Sequence, residues 1–136
     1  MIDLHSHTTN SDGTWSTKEL LENAQKLKLD AFSITDHDTA KSYIEIEQNP
    51  ELKNIYKGKL IIGAELNCTF EGTKIEVLAY DFDLHSVQNW LESYYSEAKN
   101  RNRLIEEFKD FVRICNEKDI KIEENLKYNP DTEYPV

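Results

Sequence analysis

At 136 residues the chain holds enough material for one domain with a modest core. Its 31% charged and 38% hydrophobic content, with a mean hydropathy of -0.70, is the balance of a polar globular protein, and no apolar run approaches the roughly 20 residues that cross a bilayer. The formal net charge of -10 repels anionic membranes and duplex nucleic acid, so neither is an expected partner, whereas bound divalent cations would reverse the local field for a small phosphorylated substrate.

In chain order, residues 2–5 read as a short strand that ends in His5-Ser-His7. Alternate side chains on a strand share a face, so the two imidazoles point the same way, a start on a transition-metal site. Asp12-Gly13 serves equally well as a turn dipeptide and as a metal-proximal carboxylate. Ser16-Thr-Lys-Glu19 matches a capping box, and Leu20, Leu21, Ala24 and Leu27 follow at helical spacing, predicting a helix that ends near Lys28. Residues 31–35 predict a second strand, parallel to the first across a right-handed crossover. It runs into Asp36-His37-Asp38-Thr39, where Asp38 or Thr39 is read as the cap of a second helix that fades before Asn49-Pro50.

Residues 59–64 read as a third, buried strand with Glu65 at its end, and residues 66–80 as an extended pair turning at Glu71-Gly72. A long helix is predicted over about 87–116. Its stripe of Leu91, Tyr94, Tyr95, Ala98, Ile105, Phe108, Val112 and Cys115 is read as packing surface, with a break or a partner-facing section at Arg101-Asn102. Residues 119–136, with Asn129-Pro130 and Tyr134-Pro135, read as irregular. Two isolated cysteines make no disulfide framework and no leader pattern opens the chain, so a reducing cytoplasm is the expected setting.

The polar candidates follow strand ends: His5 and His7 after the first, Asp36, His37 and Asp38 after the second, Glu65 after the third, with Asp12 in the loop before the first helix. Such clustering at the rim of a parallel sheet is how barrel active sites are built. A carboxylate interrupting an apolar run, as Glu65 does, needs a partner or a cation, and one carboxylate can bridge two ions.

Asp3-Leu-His5-Ser-His7-Thr, Ser11-Asp12-Gly13-Thr, Ile34-Thr-Asp36-His37-Asp38-Thr and Gly63-Ala-Glu65 together resemble, in order and spacing, the first three motifs of the PHP (polymerase and histidinol phosphatase) superfamily. The wording is most similar to stand-alone phosphoesterases acting on nucleotides or short RNA. The resemblance implies an α/β fold, a distorted (β/α)7 TIM-like barrel, holding two or three divalent ions (Mn, Fe or Zn) and hydrolysing phosphate esters by a metal-activated hydroxide. Carried over by position, His5 and His7 bind the first ion, Glu65 bridges it to a second, and Asp12 and His37 serve a third.

Two departures qualify the match. Glu76 stands where relatives carry a histidine, which favours Mn or Mg over Zn. The resemblance covers residues 1–118 but only the first half of the family's domain, and no histidine follows His85, itself read as a surface residue. The expectation is therefore an incomplete barrel that pairs with a missing half or self-associates. Three other functional readings are set against it: a non-catalytic metal-binding or interaction module, an exonuclease-like domain attached to a DNA polymerase, and an amide-hydrolysing metallohydrolase, whose usual lysine bridge has no evident position here.

Overall fold

In the computed structural model, which describes residues 1–95 and 97–122, three short strands, β1 (Ile2–Asp3), β2 (Ala31–Phe32) and β3 (Lys59–Leu60), pair in parallel in the order β1-β2-β3. They are shorter than the runs expected at 2–5, 31–35 and 59–64. Pairing loosens beyond them without stopping, since the Ser33 N–H donates to the Asp3 carbonyl (3.0 Å) and the Thr35 N–H to that of Ser6 (2.7 Å). Helix α1 (Thr17–Lys26) joins β1 to β2 and starts as its sequence dictates. The Ser16 hydroxyl caps the Glu19 amide while the Glu19 carboxylate reaches back to the Ser16 amide. Leu20, Leu21 and Ala24 are buried on its inner face, but Leu27 falls at the C-cap and is exposed.

The third strand is not the buried run expected. Lys59 is exposed and Leu60 half-buried, and the chain then changes partner: β4 (Gly63–Phe70) pairs antiparallel with β5 (Thr73–Tyr80), three residues earlier than the predicted pair. The hairpin turns at Glu71-Gly72 as expected, both residues having positive φ (48° and 78°). The second helix, α2 (Lys41–Gln48), has Ala40 as its N-cap, with no side-chain cap bond. Asp38 is turned away to the hairpin, and Thr39 Oγ1 accepts only from the Lys41 amide (3.2 Å). The Ala40 amide is satisfied by the Gln88 side chain at 2.7 Å. A short α3 (Pro50–Lys53) follows, capped by Asn49 with Pro50 in its first turn, a position where a missing amide costs nothing.

These elements belong to one compact unit, Met1–Glu92, with a second at Ser93–Val136. The boundary falls inside the stretch 1–118 that the sequence reads as one domain. The core of the first unit joins Leu20, Leu21 and Ala24 of α1 to Phe32, Ile34, Tyr43 and Ile46. Tyr56 meets Phe32 edge to face at 5.8 Å. The long helix predicted over 87–116 is two helices, α4 (Leu84–Tyr94) and α5 (Glu97–Glu117). The break falls between them, not at Arg101-Asn102. On α5 the stripe persists as half-buried Ile105, Phe108 and Val112 with buried Cys115. The side chain of Ala98 and residues 123–136, including both Pro dipeptides of the tail, lie outside the described residues. Among those described, no helix is long and apolar enough to cross a membrane.

Candidate metal centre

His5 and His7 lie just beyond β1, on backbone still tied to the β2 segment, and their rings come together at 5.1 Å as strand alternation predicts. The loop that follows is folded back by two amides, those of Ser11 and Gly13, which both donate to the Thr8 carbonyl (3.1 and 2.9 Å). Gly13 is required there: a Cβ would stand 2.3 Å from the His7 carbonyl oxygen. This turn gives Asp12 its position. His37 follows the β2 segment and bridges in parallel to Glu65 near the start of β4, through the Glu65 amide on the Asp36 carbonyl and the Asp38 amide on the Glu65 carbonyl. In the hairpin register Asn67 faces Glu76, and Glu65 faces Leu78, so Glu65 and Glu76 share one face. Asp38 fixes that hairpin by accepting from the Asn67 amide and side chain (2.9 and 2.7 Å).

The side chains converge. Glu65 Oε2 lies 2.9 Å from His5 Nε2, 3.2 Å from His7 Nε2 and 3.8 Å from His37 Nε2. Asp12 lies 3.3 Å from His7 Nδ1 and 3.7 Å from His37 Nε2, and the His7 and His37 rings stack at 4.8 Å. Three groups have donor atoms within 4.8 Å of one another: His5-His7-Glu65, His7-Asp12-His37 and His37-Glu65-Glu76. All six residues singled out in the sequence are brought together. His85 is not; it pairs with Glu47 at 3.0 Å on exposed surface.

These residues fit divalent ions. Glu65 is a buried carboxylate enclosed by imidazoles, and such a charge is costly without a cation. His7 Nδ1 and His37 Nδ1 are buried without a hydrogen-bond partner, the approach of His7 Nδ1 to Asp12 lacking hydrogen-bond geometry. Neutral imidazole and carboxylate are the donors that Mn, Fe and Zn accept. A neutral imidazole offers one lone pair, so His7, whose Nε2 faces Glu65, cannot serve two groups at once, while Glu65 can divide its two oxygens.

Two participants, Tyr80 and Asn67, were missed in the sequence, and a third, Asp36, was read only as one of the polar candidates after the second strand. Tyr80 donates from its hydroxyl to the Leu4 carbonyl at 2.7 Å, securing the segment before His5; burial and the Glu65 charge both push its phenol pKa up. Asn67 anchors the hairpin to Asp38. Asp36 is buried among hydroxyls from Thr8, Ser11 and Ser42. The signal for Asp36 was the run of Ser and Thr around the motif residues, the donors an isolated buried carboxylate requires.

A model of the PHP domain family matches residues 3–127. Among curated relatives, the 5′-3′ exoribonuclease Rnm of Salmonella typhimurium is 29% identical over 109 residues, covering 79% of this chain and 37% of that protein. The Rnm protein of Escherichia coli is 30% identical over the same shares. The chain thus spans well under half the length of the relatives it matches. Of solved structures, a protein of Bifidobacterium adolescentis provisionally assigned as a metal-dependent phosphoesterase superimposes with a TM-score of 0.59 at 26% identity, covering 90% of this chain and 44% of that one. An amidohydrolase from Chromobacterium violaceum shares the fold at 21% identity with the same TM-score, covering 75% and 36%.

Proposed function

The chain belongs to the PHP domain family, and from that premise we propose that it supplies the first ligand set of a metal-dependent phosphoester hydrolase acting on phosphorylated nucleotides or short RNA. The convergence of three imidazoles and three carboxylates in overlapping groups carries the reading. His5, His7 and Glu65 would hold one ion, Asp12 and His37 another, and Glu65 would lie between them, with Glu76 beside Glu65 and His37 as a further oxygen donor. When bound, divalent ions lower the pKa of a coordinated water and offset charge on phosphoryl oxygens. The chain's own part is to hold neutral imidazole nitrogens and carboxylate oxygens in fixed places and to keep Glu65 away from bulk water, so that its charge is directed at a cation.

The parallel sheet β1-β2-β3, with its ligand residues after the strands, is consistent with the opening of a distorted (β/α)7 barrel spanning residues 1–118. A cytoplasmic setting accords with two free cysteines, Cys68 and Cys115. The lack of any histidine after His85 favours a second reading, in which this chain binds metal without turning over substrate unless the rest of a barrel is supplied. Elemental analysis of the 136-residue chain expressed with Mn, Fe and Zn, followed by assay on 5′-phosphorylated oligoribonucleotides, separates the two. Bound metal, lost when His5 and His7 are both changed to alanine, together with hydrolysis supports the enzyme. Bound metal without hydrolysis supports the module, and no bound metal in the folded chain would sink both.

A further inference from the structure

We propose that Asp36 is the positioning residue of this centre: a carboxylate that binds no ion itself but fixes the loop that carries Asp12 between His7 and His37. The inference rests on the metal-centre reading above. Asp36 is 1% exposed, and every donor on it is neutral. Its Oδ1 accepts from the Thr8 amide (2.6 Å) and the Ser11 hydroxyl (2.8 Å), and its Oδ2 from the hydroxyls of Thr8 (2.7 Å) and Ser42 (2.5 Å). These bonds have a common direction. The Asn10 amide donates to Thr8 Oγ1 and its side chain to Ser42 Oγ, which leaves both hydroxyl protons free to point at Asp36. Asn10 also reaches Glu45 on α2, and Glu45 accepts from Thr17 on α1. The loop between His7 and Asp12 is thereby clamped to α2 through the buried Asp36 and, by way of Asn10 and the exposed Glu45, to α1 as well.

Each clamp point adjoins a ligand. Thr8 follows His7, Ser11 precedes Asp12, Asp36 precedes His37, and the Asp36 carbonyl accepts the Glu65 amide at 3.2 Å. Asp12 depends on the clamp most, because it is exposed and sits on a loop, while His7 and His37 are half-buried and Glu65 is buried; His5 lies beyond the clamp's reach. In Asp36→Asn one acceptor oxygen becomes a donor facing other donors, so the loop must move.

The test is a Mn²⁺ titration of the full 136-residue chain, followed by electron paramagnetic resonance, with the thermal midpoint of the metal-free protein measured alongside. Asp36→Asn is expected to weaken the ion that Asp12→Ala also removes by about 10–100-fold, leaving the ion on His5, His7 and Glu65 within about twofold. Thr8→Val should weaken the same ion and Thr8→Ser restore it. Should Asp36→Asn fail to fold, Ser42→Ala, which deletes one bond to Asp36 from a residue on α2 that touches no ligand, decides the matter by the same selective weakening. A lowered thermal midpoint with unchanged Mn²⁺ affinities in the folded variants would overturn the proposal and leave the metal centre standing. Absence of Mn²⁺ binding by the parent chain would overturn both.

Discussion

Tyr43 shows how a single side chain can hold the ligand-bearing segments in register. Its hydroxyl accepts from the Ile34 amide (2.8 Å) and the Gly63 amide (3.1 Å), and donates to the carbonyl of Ile61 (2.7 Å) or Ile34 (2.8 Å). The first of these segments leads to His37 and the other to Glu65. Burial pushes the phenol pKa up to about 12. Below pH 10 the group is neutral folded or unfolded and contributes no slope. Between pH 10 and 12 the unfolded chain releases the proton and the folded one keeps it, so stability falls there by about 1.4 kcal/mol per pH unit. Urea unfolding at pH 9, 10 and 11 should show this slope in the parent chain and a shallower one in Tyr43→Phe, where the upward-shifted phenols of Tyr56 and Tyr80 remain; the variant should also be less stable by about 1–3 kcal/mol at neutral pH because buried partners lose a bond. Gly13 is the sterically tighter case. Gly13→Ala must displace the His7 backbone and is expected to cost about 1–3 kcal/mol and to reduce metal retention, measured by thermal melts and elemental analysis. His5, His7, Asp12, His37, Glu65 and Glu76 were legible because motif spacing names them. Tyr43 was not, since a hydroxyl that works through distant backbone leaves no local pattern, and Asp36 was legible only as a polar residue after a strand, its partners Thr8, Ser11 and Ser42 coming from other segments.

Among the elements, legibility followed the range of the interactions that define them. The cap and apolar spacing of α1 are local, and they fixed its start to the residue. The positive-φ turn of the β4-β5 hairpin is local too, and Glu71-Gly72 announced it. The exchange of strand partners after Leu60 is not local. The run Leu60-Ile-Ile-Gly-Ala is uniformly strand-like, yet it leaves β2 and joins β5, and the close fit of Gly63 against Ser33 (a Cβ would lie 2.3 Å from its hydroxyl) appears only when two distant segments meet. Asp38, one of two residues the sequence offers as cap of the following helix, is instead committed to the hairpin by its positive φ and its bonds to Asn67. The hairpin also carries a correctable strain. Glu71 occupies the left-handed region, where asparagine is better tolerated, in a two-residue turn that favours Asn-Gly. Glu71→Asn is therefore expected to stabilise the chain by up to about 1 kcal/mol, read as a rise in the urea midpoint without a change in slope.

For the whole chain the decisive fact is where the charge sits. All six ligand candidates fall within Met1–Glu92, and three of them, Asp12, Glu65 and Glu76, add acidic groups to one small site of a chain that already carries a net charge of -10. Glu65, enclosed by three imidazoles, is held near Asp12 and Glu76 at a cost that a bound divalent ion would offset. A ligand that binds only the folded state stabilises it by mass action, by about 2.7 kcal/mol when its concentration is a hundred times the dissociation constant. Manganese at that excess should therefore raise the free energy of opening of Met1–Glu92 by this amount. Hydrogen exchange should slow most at the Ser11, Gly13, Asp38 and Glu65 amides, whose bonds close the loop and the His37–Glu65 bridge. A chelator should reverse the effect, and the gain should vanish in Glu65→Gln, which keeps the shape and loses the charge. Equal slowing by Mg²⁺ and Mn²⁺ would indicate that carboxylates dominate the binding. A preference for Mn²⁺ would indicate that the imidazoles take part, because Mg²⁺ takes oxygen ligands and accepts nitrogen poorly. Unchanged exchange at those amides with manganese present would exclude them from a metal site, whatever the family likeness implies.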